Sequence, residues 1–299
     1  SEEQLEVMKG YRNVALFGVD STTGALTKNT RSDTIMIASI NLDTKEIRLV
    51  SVYRDTFMNL GNDKYNKCNG AYAAGGPKQA ISMLNANLDM NIKDFVTIGF
   101  AGLIDTINAL GGIPMDITNE EIHYLNDYQY CIAEDLKRQY TPVSSAGMQT
   151  LDGMQATGYC RIRYTKGDDF RRTERQRNVL KAIMEKSKEA SVPQLVEIAN
   201  DVFDEVYTSL GITEITELLG EASQYKVVAD DGFPTADKRW SGNIGSPGDC
   251  IVPNSLADNV SWLHEFLFDE SGYVPSNEVQ TFSDHITSVT SKHKPKSVQ

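Results

Sequence analysis

The chain predicts an α/β layered domain, on two observations. Short runs rich in Ile and Val end at Gly or Asp in the manner of buried strands. Longer segments between them carry apolar residues at helical spacing, and this alternation is the pattern of a sheet covered by helices.

Residues 13–19 (NVALFGV) read as a buried strand that leaves Asp20 just past its end. Residues 34–41 (TIMIASIN) and 46–52 (EIRLVSV) read as a hairpin, with Asp43 and Thr44 supplying the turn. After Gly75, Gly76 and Pro77, the residues Ala80, Ile81, Leu84 and Leu88 keep a helical period. Residues 95–100 form another strand, 103–110 a helix stopped by Gly111-Gly112, and 113–117 a further strand. Residues 124–150 lose the period and are rich in Tyr, Asp, Gln and Ser, so an inserted loop or lid is expected there. Helices are expected over 170–190, 193–210 and 213–224, one or two hairpins over 226–253, and an amphipathic helix over 256–268. From Ser271 the chain turns polar and predicts a flexible tail. No repeat and no linker interrupts residues 13–270, which are read as one domain.

The 299 residues carry a formal net charge of −12, which argues against a nucleic-acid binder with a broad basic face. No apolar run reaches the roughly 18 to 20 residues needed to cross a bilayer, and the first residues, SEEQLEVMKGYRNV, contain no signal peptide. The start in a charged segment, without Met, fits an upstream anchoring segment that is not part of this chain. The four cysteines, Cys68, Cys131, Cys160 and Cys250, lack metal-ligand spacing and are read either as two disulfides or as buried thiols.

Against the acidic background, residues 161–176 (RIRYTKGDDFRRTERQ) hold five arginines. Guanidinium forks that converge usually face an anion, and phosphate is the first expectation. Arg172, Arg175 and Gln176 stand at i, i+3 and i+4, hence on one helix face. Asp168 and Asp169 precede them at the helix start. Asp169 reads as a cap, a general base or an arginine partner. Arg161 and Arg163 share a face if the piece is extended; at a helix end they diverge by roughly 200°.

Two further groups lie earlier. Asp20 and Asp33 sit at strand ends, where paired carboxylates suit a hard cation such as Mg²⁺ or serve simply as turn residues. Arg54 and Asp55 follow the strand 46–52, in the position where open α/β sheets build their sites, and Lys67 and Asn69 come next. No GxxxxGK[ST], GxSxG or HExxH is present, so charge neutralisation and positioning remain as the available chemistry.

In this order, the elements GVDS, RSDT, Ser-x-x-Arg-Asp-Thr, Lys-x-Asn-x-Ala-Tyr, R-x-R and D-F-x-R-x-x-R-Q resemble the LytR-CpsA-Psr family of cell-envelope proteins over roughly residues 13–188. The resemblance implies a three-layer α/β/α sandwich around a mixed sheet, with an apolar tunnel for a polyprenyl chain. It also implies residence on the extracytoplasmic face of the membrane through an N-terminal anchor, with residues 1–12 a juxtamembrane remnant.

The activity it implies is transfer of a glycopolymer from a polyprenyl pyrophosphate carrier to peptidoglycan, assisted by Mg²⁺. Asp20 and Asp33 match the family's metal aspartates, and Arg31, Arg54, Lys67, Arg161, Arg163, Arg172, Arg175 and Gln176 its pyrophosphate positions. Arg54, Asp169, Arg172 and Arg175 are the residues expected to act in catalysis, with Asp169 as base, while Arg171 matches no motif position and is expected to face solvent. A phosphohydrolase of the same pyrophosphate and a non-catalytic polyprenyl-phosphate-binding regulator are the alternatives. The sequence departs from the family at Val52-Tyr53, where Ile-Pro is usual, and at Cys68, where Ile is usual. A Cys68–Cys160 disulfide tying two site segments together is the resulting expectation.

Overall fold

A computed structural model describes residues 2–20, 26–27, 30–61, 63–165 and 168–295. Helix α1 (Glu2–Lys9) leads into strand β1 (Tyr11–Val19), and β2 (Ser32–Asn41) and β3 (Glu46–Val52) follow. As expected, β2 and β3 pair antiparallel, with Ile40 opposite Ile47 and Met36 opposite Ser51. Asn41 closes their turn: its Oδ1 accepts from Asp43 N and Thr44 N, each at 3.0 Å.

The short pair β4 (Phe57–Asn59) and β5 (Tyr65–Lys67) precedes helix α2 (Asn69–Leu88). This helix is two pieces joined at Gly75 and Gly76, and it restarts at Pro77. Gly76 adopts φ 69°, and a Cβ there would come within 2.1 Å of Thr27 O, so only glycine fits. Strand β6 (Asp94–Ile98), helix α3 (Phe100–Ala109) and strand β7 (Ile113–Ile117) agree with the sequence reading to within about three residues.

The expected loop 124–150 is not a loop. Most of it belongs to helix α4 (Asn119–Leu136) and strand β8 (Gly147–Leu151), which pairs antiparallel with β7. The α4 start is a capping box of Thr118 and Glu121, and its inner face is Glu121, Leu125, Gln129, Ile132 and Ala133. Two polar residues on that buried face, with Tyr and Asp outside, hide the helical period from sequence.

Helix α5 (Gly153–Arg161) and helix α6 (Asp168–Ser187) carry the arginine motifs. Helix α7 (Val192–Asp201) is shorter than expected, because residues 206–208 form strand β9 (Val206–Thr208), antiparallel to β6. After α8 (Ile212–Gly220), strand β10 (Lys226–Phe233) runs parallel to β3, so only β11 (Arg239–Asn243) and β12 (Asp249–Pro253) make a hairpin in the 226–253 region. Helix α9 (Leu256–Phe268) has the expected bounds. The expected flexible tail is instead largely helix α10 (Asn277–Thr290), capped by Ser276 and burying Val279, Ser283, Ile286 and Thr290. Ser and Thr supply half of that inner face, so the segment reads as polar.

The central sheet has the order β10-β3-β2-β1-β6-β9 and is mixed, which places the chain in the α/β class. Where the sequence reads one domain over 13–270, the chain divides into two compact units: residues 1–17, 27–95 and 226–299, and residues 18–26 and 96–225. In the first, Ile37, Leu49, Val50, Met83, Leu84, Leu88, Val260 and Leu263 are buried, and Phe17 meets Tyr72 edge-on at 5.0 Å. In the second, Ile107, Ile113, Leu125, Leu151, Ala156 and Ile162 form the core.

Candidate anion-binding site

Helix α5 starts at Asp152, whose side chain accepts from Gln155 N while Gln155 returns a bond to Asp152 N. The box fixes the start of the helix, which ends at Arg161, and Arg163 stands two residues beyond. The helix-end geometry therefore holds for this pair. The Arg161 guanidinium lies 4.7 Å from the Phe100 ring centre and 5.2 Å from that of Tyr128, with Nη2 3.3 Å from Asp20 Oδ2. Two rings and one carboxylate hold a group that would otherwise lose much rotamer freedom on ordering.

On α6, Arg172 is buried and its Nη2 is 2.9 Å from Asp169 Oδ1. Of the three roles open to Asp169, the arginine partner is the one the structure displays. Arg175 is buried as well. Its Nε donates to Glu121 Oε1 at 2.8 Å, Nη2 to Thr165 Oγ1 at 2.8 Å and Nη1 to Ile162 O at 3.3 Å. Gln176 Nε2 donates to Cys160 O at 3.4 Å, while its Oε1 is buried with no hydrogen-bond partner among the described residues. Arg175 and Gln176 thus fasten α6 to the end of α5 and orient the turn that carries Arg161 and Arg163. Arg171 points outward and pairs with Glu174 at 2.7 Å, as expected.

Burial pushes the Tyr128 phenol up, and the nearby Arg163, Arg161 and Arg172 pull it down. Tyr128 therefore feels the field of three motif arginines, of which Arg161 lies over its ring. Neither it nor Glu121 nor Phe100 is a candidate in the sequence reading. Glu121 had a local signal, the Thr-x-x-Glu box, whereas Tyr128 and Phe100 reach the arginines only through tertiary packing.

In the first unit, Arg54 Nη1 contacts Asp33 Oδ1 at 2.5 Å and its Nε lies 3.6 Å from Asp55 Oδ2, with Lys67 Nζ 3.2 Å from Asp55 Oδ1. These motif residues form one chain of alternating charge. Arg31 is exposed just before β2. The Tyr53 departure has a local account. Tyr53 N donates to Phe233 O at 3.0 Å, which proline could not do, and the ring packs under Arg239 at 4.8 Å.

The expected Cys68–Cys160 disulfide is absent, because all four cysteines are free. Cys68 is fully buried and its thiol donates to Tyr53 O at 3.2 Å and Arg54 O at 3.3 Å, so it braces the Arg54 turn by hydrogen bonding. Burial pushes Cys68 well above the usual thiol range and Cys160 up to about 12, leaving neither as a thiolate near neutral pH.

Asp20 and Asp33 offer hard carboxylate oxygens of the kind Mg²⁺ takes, and each faces a guanidinium. Among the described residues no group of three or more His, Cys, Asp or Glu stands together as a ligand set. Asp20 belongs to the second unit and Asp33 to the first, and each carboxylate taken by itself is the kind of donor a hydrated cation accepts.

Fold and site together define an α/β protein in which one unit carries four motif arginines on two fastened helices and the turn between them, an arrangement suited to a diphosphate. Residues 1–244 match the LytR_cpsA_psr family, and the chain belongs to it. It is 33% identical over 209 residues, 69% of the chain, to the Enterococcus faecalis polyisoprenyl-teichoic acid–peptidoglycan teichoic acid transferase TagU. It is 31% identical over 229 residues, 72% of the chain, to the Streptococcus mutans Biofilm regulatory protein A. The matches span 64% and 54% of those relatives' own lengths. Its fold is similar to that of the LytR-CPS2A-psr family protein YwtF (TagT) with bound octaprenyl pyrophosphate lipid, at TM-score 0.64 and 22% identity, covering 87% of this chain and 92% of the other.

Proposed function

We propose that the protein transfers a glycopolymer from a polyprenyl pyrophosphate carrier to peptidoglycan, on the extracytoplasmic face of the membrane. Arg161 seated against Phe100 and Tyr128, with Arg175 and Gln176 bonded to the turn that carries Arg161 and Arg163, is the observation that supports a diphosphate ligand most directly. The names of the relatives, teichoic acid transferase among them, supply the reaction class. Among the described residues no helix is long and apolar enough to cross a membrane.

In this reading Arg161, Arg163 and Arg172 bind phosphate oxygens and neutralise charge as the carrier departs. Arg175 positions them through Ile162 and Thr165. Arg31, Arg54 and Lys67 carry the family's remaining motifs and are assigned to the same substrate, and Asp20 and Asp33 to Mg²⁺. When bound, Mg²⁺ would supply Lewis-acid neutralisation of phosphate oxygens. An acceptor hydroxyl oxygen forms a bond to the sugar-side phosphorus, the bond to the bridging oxygen breaks, and polyprenyl phosphate leaves. The hydroxyl proton passes to a base, for which Asp169 is the first residue to test.

The test is to incubate the protein with a lipid-linked oligosaccharide and Mg²⁺, with and without peptidoglycan fragments. Product joined to peptidoglycan is expected. Release of sugar phosphate irrespective of acceptor would replace the transferase by a hydrolase, and binding without turnover would leave a receptor.

A further inference from the structure

Helix α4, hidden from the sequence reading, places Tyr124 and Tyr128 one turn apart on one face. Tyr128 lies under Arg161 at 5.2 Å. The Tyr124 ring is 6.0 Å from the ring of Tyr164, inclined at 40°, and Tyr164 directly follows Arg163. Tyr164 is 69% exposed, among the most exposed large apolar side chains of the described residues. At the rim, His123 stacks obliquely on Tyr124 at 5.4 Å and its Nε2 lies 3.3 Å from Asp127, both side chains in solvent. The second unit therefore carries an aromatic shelf that begins at the arginines and ends in polar groups.

Such a shelf suits one kind of occupant. The exposed Tyr164 ring beside the half-buried Tyr124 and Tyr128, next to cations, favours a ligand with an apolar ring face, and the hydroxyl, imidazole and carboxylate rim favours one that is also rich in hydroxyls. A lipid tail would meet charges at the rim and gain nothing from them. A pyranose ring meets both requirements, and its attachment to a phosphate held by Arg161 and Arg163 would bring it onto the shelf. We propose that Tyr124, Tyr128 and Tyr164 form the seat of the first sugar of the donor, the ring esterified to the diphosphate, with His123 and Asp127 reading its hydroxyls. This rests on the diphosphate reading above and adds the residues that select the sugar. Tyr128 serves both parts: its ring supports Arg161, and its phenol can donate to a phosphate oxygen.

The experiment compares two ligands by titration calorimetry: geranylgeranyl pyrophosphate, and the same lipid pyrophosphate carrying one N-acetylglucosamine. Tyr164→Ala and Tyr124→Ala should each weaken the sugar-bearing ligand roughly tenfold, the scale of one lost stacking ring, and leave the bare lipid within about twofold. Tyr164→Phe should keep most of the affinity. Circular dichroism identifies any variant that loses its fold, and Tyr164, being exposed, is the one least exposed to that risk. Equal weakening of both ligands, or of neither, overturns the sugar seat while the diphosphate reading stands. A wild-type protein that binds neither ligand overturns both.

Discussion

Replacing Glu121 by Gln tests whether the arginine wall depends on one buried ion pair. The Arg175 and Glu121 side chains are 3% and 5% exposed, so water screens the pair little. Gln keeps an oxygen that can still accept from Thr118 N, a bond Glu121 makes at 3.0 Å, so the cap survives and the charge alone is removed. A buried guanidinium left without its counter-charge typically costs about 3–5 kcal/mol; the retained amide contact places this substitution near 3 kcal/mol. At about 2–4 °C per kcal/mol, Tm should fall by roughly 6–12 °C. Glu121→Gln with Arg175→Met removes both charges, keeps the acceptor for Thr118 N and should recover about 1 kcal/mol of the loss. About 1 kcal/mol would remain for each acceptor left behind, Ile162 O and Thr165 Oγ1. Urea unfolding of the two variants and the wild type reads each quantity. A Glu121→Gln protein within about 0.5 kcal/mol of wild type, or a double variant less stable than Glu121→Gln alone, would refute the pair's role.

Arg161→Lys keeps the charge but loses the planar group held between Phe100 and Tyr128, and affinity for a polyprenyl pyrophosphate should drop by about tenfold or more in a fluorescence titration. Gly232→Ala would drive a Cβ to within 2.0 Å of the Tyr53 hydroxyl and should cost about 1–3 kcal/mol. Adding Tyr53→Ala should then cost less than it does in the wild type, as a double-mutant cycle would show. His264 is fully buried and donates from Nε2 to Leu88 O, and burial lowers its pKa below the usual 6.5 or so. A depressed histidine contributes stability that is present above the unfolded value and is lost as pH falls toward the folded one, so unfolding free energy should decline below about pH 6.5 by up to ~1.4 kcal/mol per pH unit. Burial raises the Glu270 carboxyl, 3.8 Å from His264 Nδ1, and this acts in the opposite sense, favouring the fold at low pH and weakening it as pH rises. Comparing His264→Gln with wild type between pH 7.5 and 5.5 isolates the histidine; parallel curves would dismiss its contribution.

Local pattern made much of this protein legible. The β2–β3 hairpin, the Pro77 restart and α9 each follow from period or turn chemistry acting within a few residues. Segments failed where burial recruits polar residues. Gln129 in α4 and Ser283 and Thr290 in α10 sit inward, so no apolar stripe announces either helix. Strand β9 failed for another reason: Val206 and Tyr207 suit a helix face as well as a sheet edge, and pairing with β6 decides. In the site, spacing placed Arg172, Arg175 and Gln176 on one face but could not say that Arg175 turns inward to Glu121, since that partner is 54 residues away.

On the proposed function, the same distinction accounts for how an acidic chain would hold an anion. A net charge of −12 acts over the whole surface and is screened within about 8 Å at physiological ionic strength. The arginine wall acts at contact distance, and its members are fixed before any ligand arrives. Arg161 lies between two rings, Arg172 is paired with Asp169, and Arg175 and Gln176 are bonded to the backbone of the turn they support. Each carboxylate partner keeps its arginine in place and also lowers the cluster's net field. Affinity must then come from phosphate oxygens that take over or share donors already aimed, rather than from long-range attraction. This makes Glu121 as consequential as any arginine, because it sets where Arg175 stands and, through Ile162 and Thr165, where Arg161 and Arg163 point.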